Sequence, residues 1–371
     1  MSVDWEAIRA QFPALRNWVY LDTATFGQLP SCASEAIACH CRRRDHLGCT
    51  DFLSWFDDAD RLREKCARLV HATAADVAFF PNAATALSLF LGGIAWRPGD
   101  RVVTLANEFP NNLYHPALLA CRGVEFIETP WEGFAALFEK PVRAVLVSTV
   151  NYSTGLRPPM DEVVRAARQA GAFLFIDGTQ SAGALDFDAA RWEPDMYAVD
   201  GYKWLLCPNG ASFAYIHPRF RQAVAPQVVG WRSHKGWRRV DNLHHGAPEF
   251  VEEAEKYEGG MLPFPVLYGM EGSLDLILGL GIQRIESRVL ELARQLRALL
   301  ASLGAELLAS PCESNVVAAR FAGADMSALA RRLRSRRVVV SARHGCLRVS
   351  AHFYNNSEDL EALAAALRAE L

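Results

Sequence analysis

No stretch of this chain approaches the ~18 uninterrupted apolar residues that a membrane span requires, so no transmembrane segment is predicted. The opening residues, MSVDWEAIRAQFPAL, are acidic and amphipathic and lack the basic start and apolar run of a secretory signal. A cytoplasmic protein is expected. An excess of positive charge is missing too: the formal net charge is −3, whereas duplex binders need concentrated positive charge to displace counterions. A small-molecule partner is therefore expected, with no nucleic acid and no membrane. The nine cysteines are odd in number and scattered, which fits free thiols in a reducing compartment and not a disulfide framework. His244 and His245 lack further ligands at metal-site spacing, so no metal is expected. Internal repeats and low-complexity tracts are absent as well.

What is present is a long chain of 371 residues, 51% hydrophobic and 22% charged, enough to bury a large core and divide into two lobes. From Val77 to Ile216, short apolar runs (DVAFF, RVVTLA, VEFIET, AVLVSTV, FLFID, MYAVD, SFAYI) alternate with amphipathic segments such as MDEVVRAARQAG. That alternation predicts α/β architecture: a mostly parallel sheet covered by helices in three layers, with ligands beyond the carboxyl ends of the strands. From about Pro265 two long helical stretches lead into short strands and a final helix, which predicts a smaller α+β lobe. The expected division is an N-terminal segment (1–20), a large cofactor-binding domain (21–263) whose Pro226–Pro263 stretch is an irregular bridge, and a small C-terminal domain (264–371).

The run FLFIDGTQ ends a buried strand on Asp177, where a carboxylate faces a ligand site. Shortly after, MYAVDGYKWLL sets Lys203 in a loop between two apolar runs. A lone lysine there is ordinarily a solvated loop residue. Paired with the acid it has another use, because pyridoxal phosphate needs an amine for its Schiff base and a carboxylate to keep its ring nitrogen protonated.

With these residues in view, the chain resembles class V of the fold-type-I (aspartate aminotransferase-like) pyridoxal-phosphate enzymes. The resemblance runs from YLDTATFGQLP to LRVSAHFYNNSEDL, nearly the whole sequence, and its specificity lies in the order of motifs. It implies pyridoxal 5'-phosphate as cofactor, Lys203 as its internal aldimine and proton shuttle, Asp177 on the pyridine nitrogen, and Gln180 on the ring hydroxyl. Ala84 and Thr85, in PNAATALSLFL, would hold the phosphate at a helix start, a place where threonine is otherwise a plain cap. Tyr202 would be a second phosphate contact. Phe109 occupies the place of the residue that stacks on the ring, where many relatives have histidine; phenylalanine stacks but moves no proton. Asn151 or Tyr152, in NYSTG, would lie near the ring hydroxyl, with the choice between them open. Arg348, in the RxS pattern, would bind the substrate's α-carboxylate through its planar fork.

Departures from the pattern are also legible. Asp200 stands where relatives have a small residue, and a carboxylate near a phosphate must point away or be compensated. Gly260 replaces the threonine that reaches across a dimer to the partner's phosphate. Trp231 and His234, in GWRSH, are candidates for the substrate pocket, while the basic run Arg331–Arg337 reads as a solvated helix face. The resemblance further implies an amino acid substrate and a homodimer with a shared site, for which the apolar stretch Tyr268–Leu280 offers surface. The expected activity is aminotransferase-like, with a kynureninase-like or C–S lyase reaction as alternative. A desulfurase is less favoured, since Cys346 reads as part of a strand and not of the flexible loop a sulfur-carrying thiol needs; an epimerase is also less favoured.

Overall fold

The computed structural model describes residues 3–371. A short strand, β1 (Val19–Tyr20), comes first, and the apolar runs of the central region follow as β2 (Val77–Phe80), β3 (Arg101–Leu105), β4 (Glu125–Thr129), β5 (Ala144–Ser148), β6 (Phe173–Asp177), β7 (Met196–Asp200) and β8 (Ser212–Ile216). β2 to β8 form one seven-stranded sheet in the order β2-β8-β7-β6-β5-β3-β4, with only β8 antiparallel to its neighbours. Side chains alternate between its faces: Leu174, Ile176, Tyr197 and Val199 enter one core cluster, Phe175, Met196 and Ala198 the other. Helices cover both faces, because strands so apolar on either side must be buried twice. Ala83–Gly93 supplies Leu87 and Phe90 to the second cluster, and Met160–Gln169 supplies Val163 and Val164 to the first. The expected α/β architecture is thus present.

The C-terminal part adds β9 (Glu306–Leu307), β10 (Val317–Arg320), β11 (Val338–Val339), β12 (Ser341–Arg343) and β13 (Cys346–Val349). Four of these form an antiparallel sheet, β12-β13-β10-β9, over a third apolar cluster shared with the helices Ile282–Ser302, Met326–Ser335 and Ser357–Glu370. The chain's beginning docks here: β1 pairs in parallel with β11, Leu21 joins the third cluster, and Arg9 forms a two-point ion pair with Asp359 at 2.7 and 3.0 Å. The helix Phe264–Leu280 goes the other way. It buries Leu267, Met270, Leu274 and Ile277 in the first cluster of the large sheet, and Gly281 (φ 87°) separates it from the next helix. The apolar face of Tyr268–Leu280, expected at a dimer surface, is therefore spent largely on the chain's own core. Among the described residues no single helix is long and apolar enough to cross a membrane.

The irregular bridge is pinned by buried charge. Glu258 accepts from Arg63 at 2.5 Å, Arg232 at 2.9 Å and the Phe79 amide at 2.8 Å. Burial pushes the Glu258 carboxyl up, but the two guanidiniums outweigh it and hold it below its ordinary value. This accounts for GWRSH: Arg232 stacks under Trp237 and Phe56, and Trp231 packs edge-on against the same two rings. His234 lies at the surface, stacked on His244 at 3.9 Å. Trp231 and His234 thus serve the packing of the bridge and are not drawn to the Lys203 cluster, a correction to the pocket roles considered for them.

Candidate active site

The carboxyl ends of β5, β6 and β7 converge, because neighbouring parallel strands end together: Ser148 pairs with Asp177 in the ladder, and Asp177 with Ala198. Asp177 is the last residue of β6 and is buried. One of its oxygens accepts the Thr179 amide at 2.9 Å and the other faces Asn112 Nδ2 at 3.3 Å. Asn112 also reaches Glu108 Oε2 and Ser148 Oγ, both at 3.2 Å. Burial, with the Asp177 charge adding, pushes the Glu108 carboxyl up to about 7 against hydrogen bonds from Ser148 and Asn112.

Lys203 follows β7 and is only 6% exposed. Its Nζ lies 5.3 Å from the centre of the Phe109 ring and 5.6 Å from that of Tyr202, and among the described residues it has no hydrogen-bond or ion-pair partner. Burial lowers its pKa to about 8, with Asp177 and Asp200 pulling up and Arg348 and Arg343 pushing down. A large share of the amine is therefore neutral, and nucleophilic, near pH 8. The lysine loop is held by a close backbone approach: the Gly27 amide donates to Tyr202 O, and a Cβ on Gly27 would sit 1.9 Å from Lys203 O. Only glycine fits there.

The helix Ala83–Gly93 points its first turn at the same place. Asn82 caps it, taking both the amide (2.8 Å) and the hydroxyl (3.0 Å) of Thr85, and Asp200 Oδ1 takes the Ala83 amide at 2.7 Å and the Ser212 hydroxyl at 3.2 Å. Thr85 is thus engaged in the cap, and the Ala84 amide has no acceptor among the described residues. Asp200 is compensated first by that helix start and then by the nearby Lys203. Burial raises its pKa, and the nearby Asp177 adds to the rise.

Other expected contacts are partly taken by the protein itself. Gln180 is buried, donates to Ala24 O at 3.0 Å and accepts Trp204 Nε1 at 2.9 Å, so it ties the segment before Gly27 to the residue after the lysine. Asn151 organises its own turn, with Oδ1 accepting from Ser153 and Thr154 and Nδ2 donating to Asn107 O. Tyr152 is the member of that pair turned toward Phe109, edge-on at 5.1 Å. Arg348 is 1% exposed: Nε donates to Ser341 Oγ at 3.1 Å, Nη2 to Asp22 Oδ1 at 3.0 Å and to Thr25 Oγ1, and Nη1 to Tyr152 O. Five N–H groups less these four leave one on Nη1 for anything else. Gly260 has open space where its side chain would be, and its carbonyl accepts Arg232. Cys346 is buried in β13, and the turn before it is two residues long.

Comparison with known proteins now bears on these contacts. Residues 19–363 match the family model for aminotransferase class-V. The chain belongs to the class-V aminotransferase family. Membership makes it a pyridoxal-phosphate-dependent enzyme. It is 25% identical to a probable cysteine desulfurase of Methanothermobacter thermautotrophicus, over 98% of this chain and 97% of the relative. It is also 28% identical to the isopenicillin N epimerase of Streptomyces clavuligerus, over 99% and 98%. Its fold resembles that of the cystine C-S lyase C-DES in complex with cysteine persulfide (TM-score 0.87, 24% identity, 96% and 99% covered). It likewise resembles the Escherichia coli cysteine desulfurase CsdA (TM-score 0.87, 22% identity, 100% and 99% covered). An unpartnered buried amine facing a carboxylate, with an aromatic ring beside it, fits what a class-V cofactor needs at its ring end.

Proposed function

We propose that Lys203 carries the cofactor and moves the substrate's α-proton at Nζ, and that Asp177 holds the ring nitrogen. The observation carrying this reading is the buried, unpartnered Lys203 amine, 5.3 Å from the centre of the Phe109 ring and under the charges of Asp177 and Asp200. When bound, pyridoxal phosphate supplies an electron sink that stabilises negative charge at the substrate's Cα. Phe109 stacks on the ring, and Tyr202 and the free Ala84 amide hold its phosphate end, with Thr85 keeping the helix start capped. Gln180 offers its remaining N–H to the ring hydroxyl. Arg348 meets the α-carboxylate through its last Nη1 donor, and the buried ion pair with Asp22 fixes its plane.

The substrate is an amino acid, and amino transfer is the first reading. Elimination from the side chain is the second. Sulfur transfer through Cys346 is disfavoured by the burial of that thiol in a strand behind a two-residue turn. Incubating the protein with a panel of amino acids and measuring α-proton exchange into D2O tests the core of the proposal: no exchange from any of them rejects it.

Asp200 places a carboxyl at the helix start meant for a phosphate, and like charges there repel. Asp200→Ser keeps a small polar acceptor while removing the charge. The apoprotein of that variant is expected to bind pyridoxal phosphate roughly tenfold more tightly, about what a modest reduction in charge repulsion is worth. Weaker binding in an absorbance titration would make Asp200 a working part of the phosphate site.

The proposal includes a homodimer, the commonest symmetric assembly. Light scattering is expected to give twice the chain mass, and a monomer that turns over substrate would remove the shared site.

A further inference from the structure

Phe109 stands where many related sites carry a histidine able to move protons, yet the structure places an imidazole nearby by another route. β12 and β13 are joined by His344 and Gly345 alone, with Arg343 paired to Cys346. Both turn residues have positive φ, 48° and 72°, as tight two-residue hairpins require. Left-handed backbone is uncommon for a non-glycine residue, although histidine is among those that tolerate it. In this turn the imidazole reaches back over the site: His344 Nε2 lies 2.7 Å from Tyr152 Oη, and the Tyr152 ring stands edge-on to Phe109, whose own ring faces Lys203 Nζ. His344 is exposed to water while Tyr152 is half-buried, so the pair runs from solvent to the stacking ring.

We infer that Tyr152 and His344 form the second acid–base unit of the site, with Tyr152 Oη protonating a leaving group on the substrate's side chain and His344 Nε2 replacing the proton. Amino transfer needs no such unit, because one lysine can take the proton from Cα and return it elsewhere. Breaking a side-chain bond does need one whenever the departing atom is basic. The inference rests on the Lys203 reading above and selects its elimination branch: the substrate is an amino acid bearing a sulfur, oxygen or nitrogen substituent on Cβ.

The proton account closes. Lys203 Nζ removes the proton from Cα, and the electron pair left behind forms the Cα–Cβ double bond as the bond from Cβ to the leaving atom breaks with its pair. The leaving atom takes the proton of Tyr152 Oη, the His344 imidazole passes one from Nε2 to Oη, and its Nδ1 takes one from water. No oxidant or reductant enters. In the tautomer with hydrogen on Nε2, the phenol oxygen accepts from His344 and is free to aim its own hydrogen inward. The phenol also stays protonated: burial raises its pKa, Glu108 and Tyr114 add to the rise, and Arg343 and Arg348 oppose it.

Two probes with different leaving groups test the inference on the holoenzyme. S-ethylcysteine must expel a basic thiolate, whereas β-chloroalanine expels chloride, which needs no proton. Tyr152→Phe keeps the ring against Phe109, and His344→Gly suits the left-handed turn. Both variants are expected to keep the visible cofactor spectrum and α-proton exchange, to lose at least about tenfold in kcat for ethanethiol release with KM little changed, and to release chloride at the wild-type rate. Added imidazole is expected to restore His344→Gly and not Tyr152→Phe. Equal slowing with both probes, or no slowing with either, overturns the inference. So does a wild-type protein that exchanges the α-proton but expels neither group, which would leave amino transfer standing. Absence of α-proton exchange in the wild type would instead remove the Lys203 reading.

Discussion

Lys203→Ala is expected to abolish the borohydride-reducible bond to pyridoxal phosphate and to cut turnover by roughly a thousandfold or more, since the proposed attachment point and proton carrier are one residue. Mass spectrometry after reduction is expected to find the cofactor on Lys203 in the wild type and on no residue of the variant. Attachment at any other lysine would overturn the central reading. The fold should survive, because Lys203 Nζ holds nothing else in place: it has no hydrogen-bond or ion-pair partner among the described residues. Removing it also removes a buried amine whose pKa burial has lowered to about 8. The sign of the stability change follows. A base with a depressed folded-state pKa opposes folding while it is charged, and stability rises with pH between the folded and unfolded values, where the unfolded state binds the extra proton. The cost is therefore full below about pH 8 and fades as pH rises toward the ordinary lysine value. In the apoprotein, Lys203→Ala is expected to be at least as stable as the parent at pH 7, with the difference shrinking by pH 10. Thermal melting at the two pH values checks this.

Asp177→Asn is expected to keep the shape of the site and lose roughly a hundredfold or more in kcat, the scale on which removing one charge-stabilising group at a reacting centre acts. An amide does not hold a ring nitrogen protonated. The hydrogen bond from the Thr179 amide can persist with an Asn oxygen, so the loss should appear in turnover and in the cofactor's absorption, with little change in melting temperature. Near-normal kcat would detach Asp177 from the cofactor's ring.

The architecture and the Lys203–Asp177 pair were legible because each is written locally. Seven apolar runs separated by helical patterns dictate a sheet buried on both faces, and an acid ending one run and a lysine following the next come to the same edge. Contacts between distant segments were not legible. That Asp22 and Thr25 would occupy the fork of Arg348, or that Gly27 would lie against the lysine loop, depends on how the first thirty residues return to the site. The motif DTATFG carries all three residues but no spacing rule that says so. Glu108 and Asn112 were missed although NEFPNN was in view, since an acid before a helix usually faces water. His344 lacked any signal beyond its place before Gly345. A histidine–glycine pair between two strand-like runs is a recognisable hairpin turn, and that turn sets the direction of the ring. Gln180 and Asn151 also brace the protein itself, a second use that the sequence does not announce.

β1 carries one further consequence, for the order in which the protein acquires its activity. Asp22 and Arg348, 326 residues apart, form a buried ion pair beside Tyr152, and the strand that delivers Asp22 pairs with one that emerges late from the ribosome. A domain whose strands were synthesised consecutively could close as it left the exit tunnel. Here residues 19–22 take their strand partners from residues 338–350. The large sheet has all its strands by Ile216, yet Arg348, the residue proposed to bind the substrate's carboxylate, is held by Asp22, which follows the strand paired with β11. Formation of the large sheet and assembly of the site over it are therefore separable events, the second depending on residues 326 positions apart.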